Sequence, residues 1–349
     1  MRAITTRPGT ADSARLDDLP EPEEDPKMLL VQAVAVGVCG TDLEILSGAY
    51  GQPPPGHERL ILGHENLGRV LRAPDGSGFS PGDLVVGVVR RPDPVPCPSC
   101  AAGEWDMCRN GRYTERGISG RDGYAAERYL LEPAFAVAVP ATLGELGVLV
   151  EPTTIVAKAW EQIERIGARA VWTPRRVLVT GAGPIGLLAA LLARQRGLEV
   201  HVFDRITDGP KPGLVAAIGA TYHTGAVKDL PAADIALECT GVGELVFDLM
   251  EAAPPDGIVC LTGVASGTHT LSVNLTALNK ELVLENNVVF GVVNANLRHY
   301  RAAVDALARA DRGWVDQIVS RRVPVQRWHE ALVRGPADVK PVITWAPNP

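Results

Sequence analysis

The 349-residue chain has no run of the ~20 apolar residues that a membrane-spanning helix needs. It has no basic block either, and its net charge is -7. That balance gives no support for a nucleic acid or an anionic membrane as partner. The stretch Met1-Arg2-Ala3-Ile4-Thr5-Thr6-Arg7-Pro8 lacks the apolar core of a signal peptide. The expected location is therefore cytoplasmic, where the six cysteines are read as thiols or metal ligands rather than disulfides. Hydrophobic residues make up 46% and charged ones 21%, ordinary for a folded protein with a real core. The length predicts two domains.

The stretch Gly37-Val38-Cys39-Gly40-Thr41-Asp42 follows an apolar strand pattern from Met28 to Val36. Gly40 is read as the residue that turns the chain sharply. Cys39 alone is better explained as a small buried hydrophobe than as a ligand. The reading changes with Gly63-His64-Glu65 and with Glu151 in Leu149-Val150-Glu151-Pro152. Cysteine, histidine and glutamate from three separated segments fit an open catalytic zinc site better than a closed structural one. Thr41 would place a hydroxyl beside such a metal. His57, in the Gly/Pro-rich loop 48–56 and its continuation, reads as a surface histidine.

Cys97, Cys100 and Cys108 are spaced C-x2-C-x7-C, one ligand short of a tetrahedral structural zinc. Asp93 or an external group would complete the set; a metal-free loop is the alternative. Gly123 to Tyr129 alternates like a strand, and Glu115 between Thr114 and Arg116 either faces a polar substrate or is a surface carboxylate. The first segment is thus mostly β. A helix is expected from Thr153 to Ile166, with the domain boundary at its start.

The second domain alternates strand and helix. Val177-Leu178-Val179-Thr180 reads as a buried strand, Gly181-Ala182-Gly183-Pro184-Ile185-Gly186 as a turn, and Leu187 to Ala193 as a helix. The next strand ends in Asp204, 23 residues after Gly181. In that context the glycine pattern is a dinucleotide site. Gly181 makes the turn, Gly183 admits the pyrophosphate, and Gly186 lets the helix pack. Asp204 would accept the ribose hydroxyls of NAD, while Arg205 and Lys211 could pair with the 2′-phosphate of NADP; NAD is favoured. The alternation continues to Val293 and predicts an α/β doubly wound parallel sheet. The last strand, Val339 to Trp345, is expected to return to the first domain.

In their order, the Gly37–Asp42 stretch, Gly63-His64-Glu65, the cysteine lobe and the late glycine loop resemble the zinc-dependent medium-chain dehydrogenase/reductase superfamily. Gly48-Ala49-Tyr50-Gly51, Arg59 to Glu65, Val89-Arg90-Arg91-Pro92, Glu115-Arg116-Gly117-Ile118, Glu151-Pro152 and Val292-Val293-Asn294 resemble its glucose 1-dehydrogenase branch. The resemblance implies a GroES-like mostly-β catalytic domain at 1–152, a Rossmann domain at 153–293 and a return to the catalytic domain at 294–349. It implies Cys39, His64, Glu65 and Glu151 as the zinc shell, Glu65 being the weakest match for a direct ligand. Thr41, Glu115, Glu151 and Asn294 would hold the sugar. Gly183, Pro184, Ile185 and Gly186 would hold the pyrophosphate, and Asp204 and Arg205 the adenosine ribose. Thr262, Gly263 and Val264, with Phe290, Gly291 and Val292, would line the nicotinamide side. The superfamily's lobe has four cysteines, and here its first position is Pro94, so a structural zinc is in question.

The expected activity is oxidation of an aldose, D-glucose foremost, at C1 to the aldonolactone with NAD or NADP. The subunits would form a dimer or tetramer. The alternatives are a zinc dehydrogenase of another alcohol or polyol, a zinc-free quinone reductase, and a non-catalytic dinucleotide-binding redox sensor. The zinc-ligand set argues against the last two.

Overall fold

The computed structural model describes residues 1–264, 270–333, 335 and 337–345. Their contacts divide the chain into two units, Met1–Thr154 with Asn294–Pro349, and Ile155–Val293.

The first unit is organised around the strand Leu29–Gly37, in which Leu29, Val31, Ala33 and Ala35 are buried and the residues between them are half-buried. That period of two is the signature of a strand with one face on a core. It pairs antiparallel with Asn66–Arg72, with Arg128–Leu131 and with Pro341–Thr344. The chain's last strand therefore does return to the first unit. Leu84–Gly87, Ala136–Val139 and Arg321–Pro324 complete a seven-stranded sheet.

Two local expectations are corrected. Of the alternating stretch only Arg128 and Tyr129 lie in a strand of this sheet, Arg128–Leu131. Upstream of it, the backbone N–H groups of Gly123, Tyr124 and Ala125 donate to the carbonyls of Ile61, Gly63 and Leu62. A Cβ at Gly123 would strike the Leu62 carbonyl, so close backbone approach rather than side-chain alternation sets this segment. Gly40 does not make the turn: it opens the helix Gly40–Leu46 with ordinary dihedrals, and Cys39 is its N-cap at φ -117°, ψ 170°. The sterically required glycines flanking the site are Gly37, where a Cβ would strike Glu65, and Gly63, which sits at φ +88° against Val36.

The second unit is a six-stranded parallel sheet in the order Thr221–His223, Glu199–Phe203, Arg176–Thr180, Ile235–Glu238, Ile258–Leu261, Val288–Gly291. Helices Pro184–Gln195, Pro210–Ala217, Gly243–Glu251 and Leu275–Leu284 alternate with the strands. The helix Val150–Gly167 starts three residues earlier than its apolar period suggests. Pro152 in its first turn costs no hydrogen bond, because that N–H has no partner within a helix.

Candidate active site

Cys39, at the helix N-cap, is fixed by a reciprocal pair of bonds. Its backbone N–H donates to Asp42 Oδ2 at 2.8 Å, and Thr41 N–H donates to its Sγ at 3.4 Å. Gly63 then turns the chain so that His64 and Glu65 enter the strand Asn66–Arg72 buried, at 4% and 2% exposure. Ligand atoms of Cys39, His64 and Glu65 all lie within 4.8 Å of one another. A half-buried sulfur beside a buried imidazole nitrogen and a buried carboxylate forms a donor set suited to zinc.

His64 Nδ1 faces Asp42 Oδ1 at 3.4 Å, and no described group hydrogen-bonds either atom. Burial opposes a charge on His64, yet the neighbouring Asp42 and Cys39 hold its pKa well above 6.5. The Asp42 carboxylate and the Cys39 sulfur that favour a proton here would favour a cation equally, and a metal would take the proton's place. Glu65 is also held from behind. Lys340, buried at 3% exposure, donates to its two oxygens at 2.5 and 2.7 Å and to Val38 O at 3.2 Å. Glu151 stands outside the tight group. It is buried on the first turn of its helix, where burial pushes its pKa up to about 7, His64 pulling it down and Glu65 raising it.

Glu115 is buried at 6% exposure in the strand Thr114–Arg116. Arg90 donates to its Oε1 through Nε and Nη2 at 3.2 and 3.0 Å, and Asn294 Nδ2 at 2.6 Å. Asn294 sits at φ +61°, a left-handed conformation that asparagine tolerates better than most residues. Thr41 is half-buried beside Cys39.

Cys97, Cys100 and Cys108 also come within 4.8 Å of one another. Backbone N–H groups of Arg109 and Cys100 aimed at Cys97 Sγ bring its thiol down to about 6. Asp93 does not join them: its oxygens accept from Val95 N, Asn110 and Arg112. The lobe offers three thiols and no fourth donor among the described residues.

In the second unit Gly181 lies at φ +88°, and a Cβ at Gly186 would strike its carbonyl. A Cβ at Gly183 would meet nothing within 4 Å, which leaves open space above the loop for a pyrophosphate. Gly183 caps the helix Pro184–Gln195, whose first turn includes Pro184 and Ile185. Asp204 Oδ2 accepts from Ala182 N at 2.7 Å and from Lys211 at 3.1 Å, and Oδ1 from Ile206 N at 3.0 Å. The acid thus ties the glycine loop to the next strand, and Arg205 beside it is exposed. Thr262 and Gly263 follow the strand Ile258–Leu261, their N–H groups bonded to Glu238 O. Val264 is exposed; Phe290 and Gly291 end the strand Val288–Gly291, and Val292 is buried. All stand at the carboxyl ends of parallel strands, where such sheets bind ligands.

Four residues were missed. Asp42 lay in the motif without a role, and Arg90 figured only as part of a similar tetrapeptide. Nothing local to Lys340 signals a partner 275 residues away. Glu238, fully buried at the end of its strand, accepts from Thr180, Thr240 and Gly241, shaping the turn before the helix Gly243–Glu251.

A model of the glucose dehydrogenase C-terminus matches residues 144–345, and one of the alcohol dehydrogenase GroES-like domain matches residues 25–141. The chain is 41% identical to a glucose 1-dehydrogenase of Methanocella arvoryzae, over 98% of this chain and 99% of that one. It is 39% identical to a glucose 1-dehydrogenase of Thermoproteus tenax, with the same shares covered. The structure of Haloferax mediterranei glucose dehydrogenase, in complex with NADP, Zn and gluconolactone, superposes with a TM-score of 0.92 over all of both chains at 30% identity. The chain belongs to the glucose 1-dehydrogenase family of the zinc-dependent medium-chain dehydrogenases/reductases.

Proposed function

We propose that this protein oxidises an aldose, D-glucose foremost, at C1, converting the sugar and NAD(P)+ to the aldonolactone, NAD(P)H and a proton. The observation that carries the reading is the convergent donor group of half-buried Cys39 with buried His64 and Glu65. In this reading 1–152 and 294–349 form the zinc-binding domain and 153–293 the dinucleotide-binding one. Zinc, when bound, supplies a Lewis acid for the C1 oxygen, and the nicotinamide accepts the hydride. Cys39 and His64 hold the metal, with Glu65 and Glu151 as the carboxylates at hand. Asp42 orients the His64 ring. Thr41 Oγ1 passes the departing proton toward solvent. Glu115, Asn294 and Glu151 hold sugar hydroxyls, so that a substrate lacking one leaves a buried polar group unpaired.

The dinucleotide rests on Gly181, Gly183, Pro184, Ile185 and Gly186, with Thr262, Gly263, Val264, Phe290, Gly291 and Val292 on its nicotinamide side. Asp204 receives the ribose of NAD. Lys211 offsets its charge, which lets NADP serve too. A cytoplasmic homo-oligomer acting on a free sugar, without nucleic acid or membrane, completes the reading. Among the described residues no helix is long and apolar enough to cross a membrane.

The test is the absorbance of reduced cofactor with glucose, galactose, xylose, sorbitol and a simple alcohol, each with NAD and NADP. Turnover confined to aldoses and abolished in Cys39→Ser is expected. Turnover only with sorbitol or the simple alcohol would discard the sugar roles of Glu115 and Asn294. Full activity in Cys39→Ser would discard the metal.

A further inference from the structure

Resting on the reading of Glu115 as a sugar ligand, we infer that Arg90 is a positioning residue for sugar recognition. It fixes the Glu115 carboxylate so that Oε1 is spent inside the protein and Oε2 is presented to a sugar hydroxyl.

All three donors to this carboxylate converge on Oε1: Arg90 Nε at 3.2 Å, Arg90 Nη2 at 3.0 Å and Asn294 Nδ2 at 2.6 Å. No described residue donates to Oε2. The two side chains of the ion pair are 6% and 8% exposed, so water does not compete for Oε1 as it would at a surface. The guanidinium is itself pinned. It lies 3.6 Å from the centroid of the Tyr113 ring, and its Nη1 donates to Asp106 O at 3.4 Å. Asn294 is equally constrained, with its Oδ1 accepting from Ala295 N at 2.8 Å and its backbone in the left-handed region.

Together the two residues hold the carboxylate through Oε1. A planar guanidinium held over an aromatic ring aims two N–H groups at one oxygen in a fixed direction, which a flexible lysine ammonium does not reproduce. With Oε1 occupied, Oε2 is an acceptor of defined direction. A carboxylate accepts and does not donate, so its partner is a hydroxyl, and a sugar lacking that hydroxyl leaves Oε2 unpaired.

The test compares glucose with its monodeoxy analogues in wild type, Glu115→Gln, Arg90→Met, Arg90→Lys and the Glu115→Gln/Arg90→Met double variant, with a melting curve for each. Wild type should prefer glucose over one analogue by ~10-fold or more. Arg90→Met should raise the KM for glucose ~10-fold with kcat within about twofold, and shrink that preference below about threefold. The double variant should be no worse than either single one, because both remove one shared interaction. Arg90→Lys should fall between wild type and Arg90→Met. If Glu115→Gln leaves KM and preference unchanged, the sugar-site reading fails and the inference with it. If Glu115→Gln behaves as expected but both Arg90 variants keep the wild-type KM and preference, the inference alone is overturned. Should Arg90→Met not fold, Arg90→Lys decides: a raised KM at an unchanged melting temperature supports the role, and an unchanged KM overturns it.

Discussion

At the scale of single residues, the site depends on groups that touch no substrate. Asp42 illustrates this. One oxygen caps the helix that carries Cys39 and the other faces His64 Nδ1, so one carboxylate sets the attitude of two proposed ligands. Partners of this kind typically contribute 10–100-fold to metal affinity. Asp42→Asn is therefore expected to weaken zinc binding by about that factor, read by competition with a chromogenic chelator. An affinity within about twofold of wild type would deny Asp42 its orienting role. Lys211 acts similarly on the cofactor side, 3.1 Å from Asp204. Lys211→Ala should lower kcat/KM for NADP by ~10-fold and leave that for NAD within about threefold, since only the 2′-phosphate gains from the cation. Equal losses with both cofactors would instead make Lys211 a prop for Asp204.

At the scale of elements, the glycine loop shows how local rules settle a structure. Gly181 needs its positive φ, and Gly186 has no room for a methyl group against the Gly181 carbonyl. Gly186→Ala must push the helix Pro184–Gln195 off the strand Arg176–Thr180. The expected cost is about 1–3 kcal/mol of stability, with loss of tight dinucleotide binding. Urea unfolding and cofactor fluorescence titration measure the two; wild-type values for both would show that the turn can relax. These constraints are local, so the loop was legible in its residues. The Gly123–Tyr129 stretch was not, because its backbone is set by carbonyls at Ile61, Leu62 and Gly63 that alternation cannot reveal. The turn at Gly40 was misread for a related reason: the required glycine there is Gly37, and its constraint comes from Glu65, just ahead of the strand Asn66–Arg72.

At the scale of the whole molecule, stability in acid should depend on Glu132. Burial alone would raise its pKa, but hydrogen bonding and charge from Arg91, with Arg116 and Arg121, bring it from 4.5 to about 2. A carboxylate depressed in the folded state contributes stability that is fully present above its unfolded value. That contribution is lost as pH falls from about 4.5 through about 2, and it is about 3 kcal/mol. Glu132→Gln should be less stable than wild type at pH 7, the gap closing across that window in denaturant titrations at stepped pH. A gap independent of pH would mean that packing, not charge, is what Glu132 contributes.

By itself, the sequence determined what depends on neighbours along the chain: the period of the strand at 29–37, the glycine loop followed by an acid, and the residue types able to bind zinc. Each is set by sterics or donor chemistry within a few residues. Only the tertiary structure decided which side chains meet. Lys340 reaches Glu65 across 275 residues, and Asn294 reaches Glu115 across 179. Such pairs arise when a return strand or a loop is laid against a sheet built from distant segments. Burial then makes each unpaired charge costly enough to require its partner.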